Sequence, residues 1–178
     1  GAVAGVGGNV AVTGAARRSR LAHLAEGMRV VGDLATEAGV RFGFEVLNRY
    51  EANLVNTGQD ARELIDLTDH PNVGILLDCF HMGMEESDPG DAIRTAGDKL
   101  VHLQASDNHR GAPGDGIFPW QDVATALRDI DYPWDVAIEC FNMESRMGPH
   151  ARLWRPLAES PDDQARRGLE FLKGLLHG

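Results

Sequence analysis

Residues 73–81 read VGILLDCFH, a short apolar strand that closes on an acidic residue, Asp78, with His81 three positions further on. The arrangement recurs along the chain. RFGFEVLNRYE (41–51) ends a strand at Glu45, LVHLQASD (100–107) carries Gln104 and DVAIECF (135–141) carries Glu139. The spacings between these four residues are 33, 26 and 35, bracketing the roughly 30-residue length of a βαβ unit. Side chains at the carboxyl ends of successive parallel strands converge on one point. Glu45, Asp78, Gln104 and Glu139 are therefore expected to form one divalent-metal site, with hard oxygen ligands that suit Mg or Mn rather than a thiolate-rich zinc site. Glu45 and Glu139 follow FGF and VAI, where an unpaired charge is costly, so a partner cation is the economical explanation.

The segments between the strands read as helices. Leu21, Leu24, Met28, Val31 and Leu34 lie at helical spacings and predict an amphipathic helix from about Arg18 to Ala38, ended by Gly39. A strand over Val40 to Leu47 follows. Asp60 is expected to cap ARELIDLT, and Asp88, Pro89 and Gly90 to open a helix near DAIRTAGDK. The third strand is KLVHLQAS and the fourth WDVAIECF, with Trp120 and Gln121 starting the helix DVATALRDI between them. Pro161 with Asp162 and Asp163 opens the terminal helix. The Gly- and Pro-rich SDNHRGAPGDGIFPW is long enough to be a functional loop, which Trp120 is expected to close by packing.

Strands alternating with helices indicate a parallel sheet covered by helices, an α/β fold. Four strands make either a small open domain or half of a (β/α)8 TIM barrel, which has eight and runs to about 250 residues. With 178 residues, 43% of them hydrophobic, a single domain over 1–178 is expected.

The formal charge of −10, with 27 acidic against 17 basic residues and no basic cluster, disfavours nucleic acid as a partner. No apolar run reaches the ~18 residues that span a bilayer, so no membrane association is expected. Cys79 and Cys140 read as reduced, packed thiols of a cytoplasmic protein. The start, GAVAGVGGNVAVTG, has no basic region ahead of an apolar core and no initiator Met, which suggests a fragment or a processed chain rather than a signal peptide. His23, His70, His150 and His177 are expected at the surface and His109 in a solvent-facing loop. His102 is read either as a functional residue or as an inward histidine bonded to a neighbour. Glu85, Glu86 and Asp88 are expected to be a solvated loop and helix N-terminus.

EVLNRYE, LDCFHMGMEE, HLQASDNHRGAPGDG with its following PW, and AIECF occur in that order. Through them the chain resembles the sugar isomerase and epimerase superfamily with the xylose isomerase-like TIM barrel, especially the ketose 3-epimerases typified by D-tagatose 3-epimerase. The resemblance runs from about Arg20 to the C-terminus and corresponds to the C-terminal half of that barrel, about strands 5–8. It implies that Glu45, Asp78 and Glu139 bind Mn, Mg or Co together with a fourth ligand on the seventh strand. That ligand is His in the epimerases; here the position is Gln104, the ligand of the hydroxypyruvate-isomerase-like branch, with His102 two residues earlier. It further implies that Glu45 and Glu139 move protons through an enediolate, and that Glu51, His81 and Arg110 hold the hydroxyls of a small sugar.

The expected function is thus a metal-dependent isomerase or epimerase acting on a ketose or related hydroxy-ketone, as a homo-oligomer or joined to a separate N-terminal half. One alternative is a non-catalytic, incomplete barrel. Another is an apurinic endonuclease-like hydrolase, disfavoured because Asn108 and Arg110 stand where zinc ligands would be needed.

Overall fold

The computed structural model describes residues 10–144, 148–149 and 151–176, and the backbone of 2–4 and 177. The elements in chain order are β1 (Ala2–Ala4), α1 (Gly14–Glu37), β2 (Phe42–Glu45), α2 (Gly58–Thr68), β3 (Val73–Asp78), α3 (Cys79–Glu85), α4 (Pro89–Ala96), β4 (Leu100–Ala105), α5 (Trp120–Asp129), β5 (Val136–Ile138) and α6 (Pro161–His177). The five strands form one sheet in chain order, every pair parallel. This is part of a (β/α) barrel. β2 to β5 are the four strands expected; β1 is a fifth that the run of small residues concealed.

Alternation along the strands assigns the two faces. Phe42, Phe44, Ile75, Leu77, Leu103 and Ala105 are buried in one core with Leu21, Ala25 and Met28 of α1, Leu64 of α2, Ile93 of α4, Val123 of α5 and Leu172 of α6. The other face carries Gly43, Glu45, Gly74, Leu76, Asp78, His102 and Gln104. It is held in step by the pairs Gly43↔Gly74, Leu76↔His102 and Asp78↔Gln104. An irregularity in the β3–β4 register between Ile75 and Leu76 turns Val101 towards this face. A Cβ on Gly74 would lie 2.3 Å from Val101 Cγ1 and 2.7 Å from the Lys99 carbonyl oxygen. Glycine is required there because the neighbouring strand fills the space a side chain would take.

Several expectations are corrected locally. Helix α2 is capped by Thr57, whose hydroxyl accepts from the Asp60 N–H at 3.1 Å. Asp60 is the returning member of that capping box, with Oδ2 accepting from the Thr57 N–H at 3.2 Å. The strand closes on Asp78 as expected, but an unexpected helix, α3, follows at once, because Asp78 Oδ1 accepts from the Phe80 N–H at 2.7 Å and caps it. Glu85 and Glu86 are not solvated: Glu85 accepts from the Arg49 N–H and guanidinium, and Glu86 from the Gly58 N–H at 2.7 Å. Asp88 is the N-cap of α4, as expected. His70 is packed rather than superficial, its ring against Gly32 and its Nδ1 accepting from the Asn72 N–H. His23 is exposed. His150 and the side chain of His177 lie outside the described residues. Both cysteines are free, and among the described residues no helix is long and apolar enough to cross a membrane.

Replacing Gly74 with Ala should destabilise the protein by about 1–3 kcal/mol through overpacking. Gly27→Ala in α1, where nothing lies within 4 Å of the new methyl, should stabilise it by roughly 0.5–1 kcal/mol. Urea unfolding of the two variants measures both, and equal effects would contradict this account of the sheet.

Candidate active site

The four strand-end residues do meet. Asp78 is fully buried at the end of β3, and its Oδ2 accepts from Arg110 Nη1 at 2.6 Å. The same Nη1 donates to Glu139 Oε2 at 3.0 Å, and Gln104 Nε2 donates to Glu139 Oε1 at 3.2 Å. Glu139 lies one residue past β5, where its N–H continues the ladder to the Ala105 carbonyl. Glu45 Oε1 is 3.9 Å from His81 Nε2, and Glu45, Asp78 and His81 each bring a potential ligand atom within 4.8 Å of the others. His102 sits below Gln104 on the same face; burial lowers its pKa against the opposing pull of Asp135.

Burial, and after it the charges of neighbouring groups, governs the titration of this cluster. Burial raises the Glu139 carboxyl to about 8, helped by the hydrogen bond and charge of Asp78 and opposed by Arg110. Glu45 is raised by burial and then by Asp78, again against Arg110. Asp78 feels the burial penalty too, but Arg110, the hydrogen bond with Glu139 and the charge of His81 outweigh it and hold the group below its ordinary value. Asp78 is therefore the ionised member and Glu139 the protonated one, the usual outcome when two carboxylates share a site.

The residues expected around the sugar converge on the same place. Asn48, which is buried, donates its N–H to His81 Nδ1 at 3.2 Å, and its Nδ2 contacts the same nitrogen at 2.7 Å and Glu51 Oε1 at 3.0 Å. Nδ1 therefore acts as the acceptor. Arg110 Nη2 lies 3.2 Å from the other ring nitrogen. Glu51 and Arg110 line a cavity of about 580 Å³ whose walls include Asn48, Tyr50, Phe80, Met84 and Arg152, and the buried His81 stands behind Asn48 and Arg110.

Arg110 itself is held in a left-handed backbone conformation, φ 65°, at a cost on the order of 1–3 kcal/mol for a residue with a side chain. Its carbonyl accepts from the Phe141 N–H and from Gln164 Nε2 of α6, and its guanidinium lies over the rings of Phe80 and Phe141. The chief organiser of its loop, missed from sequence, is Asp107. This buried carboxylate accepts from Trp120 Nε1 at 2.9 Å and from the N–H groups of Asn108, Gly114 and Phe118. Trp120 closes the loop as expected, edge-on to Phe118 and Phe171. An Asp opening a turn in SDNHRG was the available signal; nothing local marked Asn48.

The donor set fits a hard divalent cation. Gln104 Oε1 is buried without a hydrogen-bond partner, and beside it stand three carboxylates, two of them held above their ordinary values by burial and by the neighbouring Asp78. An orphaned amide oxygen and crowded carboxylates are what a Mg- or Mn-type ion satisfies.

With this geometry the chain belongs to the xylose isomerase-like TIM barrel family, which it matches over residues 2–175. Sugar epimerases are among the proteins it is similar to. It is 39% identical over 157 residues to a D-psicose 3-epimerase of Ruminiclostridium cellulolyticum, covering 85% of this chain and 54% of the relative. To an L-ribulose 3-epimerase of Methylomonas sp. it is 33% identical over 163 residues, covering 90% of this chain and 57% of the relative. A solved L-ribulose 3-epimerase superposes with a TM-score of 0.87 at 30% identity, over 99% of this chain and 61% of that chain. The chain thus spans about half the length of the curated relatives it matches.

Because Glu139 rises from 4.5 to about 8, folded metal-free protein keeps a proton that the unfolded chain loses in that window. Its stability should fall as pH rises through the window, with Glu45 contributing in the same sense. Asp78 acts oppositely, but only below its ordinary 3.8. Glu139→Gln should flatten the decline of the melting temperature in EDTA between about pH 5 and pH 8; an unchanged slope would refute the assignment. Asp107→Ala should release the loop, seen as faster amide exchange at Gly114 and Phe118 and a shifted Trp120 emission.

Proposed function

We propose that this protein is a divalent-metal-dependent epimerase or isomerase of ketoses or related hydroxy-ketones. The observation that carries the reading is the convergence of Glu45, Asp78, Glu139 and the orphaned Gln104 oxygen beside Glu51, His81 and Arg110. It is supported by similarity to D-psicose and L-ribulose 3-epimerases and by a solved D-psicose 3-epimerase with D-tagatose, TM-score 0.83 at 35% identity.

Glu45, Asp78, Gln104 and Glu139 would hold the ion. A Mn, Mg or Co ion bound there would polarise the substrate carbonyl and stabilise the negative charge that develops when the adjacent carbon loses its proton. Glu45 and Glu139 take the proton-transfer roles, one removing the proton and the other returning one on the opposite face. Arg110 offers a rigid fork of donors to substrate oxygens. His81, with Nδ1 accepting from Asn48, carries its proton on Nε2, which faces Glu45 and would be offered to a substrate oxygen, and Glu51 lines the neighbouring cavity.

Residues 1–178 act as one domain in this reading. The edge strands β1 and β5 would pair with further strands of the barrel or with a second copy, since exposed parallel edges are unstable in isolation.

Incubating metal-loaded protein with ketoses in deuterated water should place deuterium at the carbon next to the carbonyl. Chelation should abolish exchange, and Glu45→Gln or Glu139→Gln should each reduce it roughly 10²- to 10⁴-fold, the usual worth of a general acid or base. Absence of exchange with every common ketose, at full metal occupancy, would sink the proposal.

A further inference from the structure

Beyond the reacting centre lies a second cavity of about 410 Å³, bordered by His109, Arg110, Arg152, Trp154 and Arg155. It shares Phe80, Arg110, Ala151 and Arg152 with the cavity lined by Glu51, so the two are neighbours across one wall. The first contains Glu51; the second has three arginines and, among the described residues, no carboxylate. That is unusual in a chain of net charge −10.

Several other arginines are neutralised by carboxylates, although among the described residues Arg18, Arg20, Arg29, Arg41 and Arg128 have no ion pair either. Arg17 pairs with Asp60 and Glu63, Arg49 with Glu85, Arg62 with Asp66 and Asp98, Arg94 with Asp91 and Asp129, and Arg167 with Asp115 and Asp163. Among the described residues neither Arg152 nor Arg155 has an ion pair or a side-chain hydrogen bond. Arg152 is presented by a turn whose N–H groups bond back, Arg152 to the Pro149 carbonyl and Leu153 to the Gly148 carbonyl. Its φ of 53° is the left-handed conformation that a side chain adopts at a cost. Two exposed, unpaired guanidiniums on either side of Trp154, itself 76% exposed, create a local positive field and forks suited to an oxyanion.

We propose that the preferred substrate is a ketose bearing an anionic group, phosphate or carboxylate, at the end remote from its carbonyl, and that Arg152 and Arg155 bind that group. This names the substrate class of the reaction proposed above and rests on that reading for the position of the carbonyl. The sugar would lie with its reacting end among Glu51, His81 and Arg110 and its charged end in the second cavity.

Calorimetric titration of the metal-loaded protein with D-fructose, D-fructose 6-phosphate and D-fructuronate tests this without requiring turnover. At least one anion should bind about tenfold or more tightly than D-fructose, the scale of one charge-assisted hydrogen bond, and the stronger of the two identifies phosphate or carboxylate. The double substitution Arg152→Gln with Arg155→Gln should remove the preference. Arg20→Gln, which changes the net charge at a residue lining neither cavity, should leave it. Equal affinity for neutral and anionic sugars, or a preference that survives the double substitution or vanishes with Arg20→Gln, would overturn the proposal. Deuterium exchange then separates the two ideas. Anion preference without exchange defeats the proton-transfer reading alone, and exchange with equal affinity for D-fructose and both anions defeats the anionic-substrate reading alone.

Discussion

Three carboxylates at the ends of neighbouring parallel strands cannot all carry charge without a positive partner, and the site is organised around that constraint. Arg110 answers part of it by donating from one guanidinium nitrogen to both Asp78 and Glu139. The remainder appears as protonation, with Glu139 and Glu45 raised and Asp78 alone lowered. A divalent ion would complete the neutralisation, and the unpartnered Gln104 oxygen provides a neutral ligand at its edge. The same positive charge is needed at two places, since Arg110 also borders the cavity where a sugar would lie. Its contacts with both Asp78 and His81 tie the cluster to that cavity.

The fold serves the cluster through a few residues that act twice. Asp78 ends β3 and caps α3 with one oxygen while meeting Arg110 with the other. Capping α3 places His81 one turn into that helix, beside Glu45. Asn48, just past β2, fixes the ring from the far side. The long loop after β4 is ordered by the buried Asp107 and bends through the left-handed Arg110 backbone, and Gln164 of α6 bonds the Arg110 carbonyl. Strain at Arg110 persists because these contacts over-determine it.

Much of this was legible along the chain. An apolar run closing on Asp78, repeated at βαβ spacing, is sufficient for a parallel sheet with its chemistry at the carboxyl ends, because strand direction alone decides which ends gather. The misreadings have local causes. Asp60 reads as the cap of α2, but its reciprocal bonding with Thr57 depends on a backbone conformation that composition does not specify. Cys79 and Phe80 continue an apolar run, so α3 was hidden until the Asp78 carboxylate was seen to cap it. Glu85 and Glu86 read as solvated because the partners that bury them, Arg49 and the Gly58 N–H, come from loops more than 25 residues away. β1 was concealed by small residues whose strand conformation comes from pairing with β2.

By itself the sequence determined the strand and helix alternation, the acidic strand ends and the set of residues able to ligate an ion or hold a sugar, since each follows from periodicity, motif and residue chemistry. Only the tertiary structure decided how those residues share charge: which carboxylate is ionised, that Arg110 bridges two of them, that the Gln104 oxygen is left without a partner, and that Arg152 and Arg155 stand unpaired beside the site. Those outcomes depend on distances of a few ångströms between segments far apart in the chain, and on burial that strengthens every charge within it. Neither is encoded at any one position.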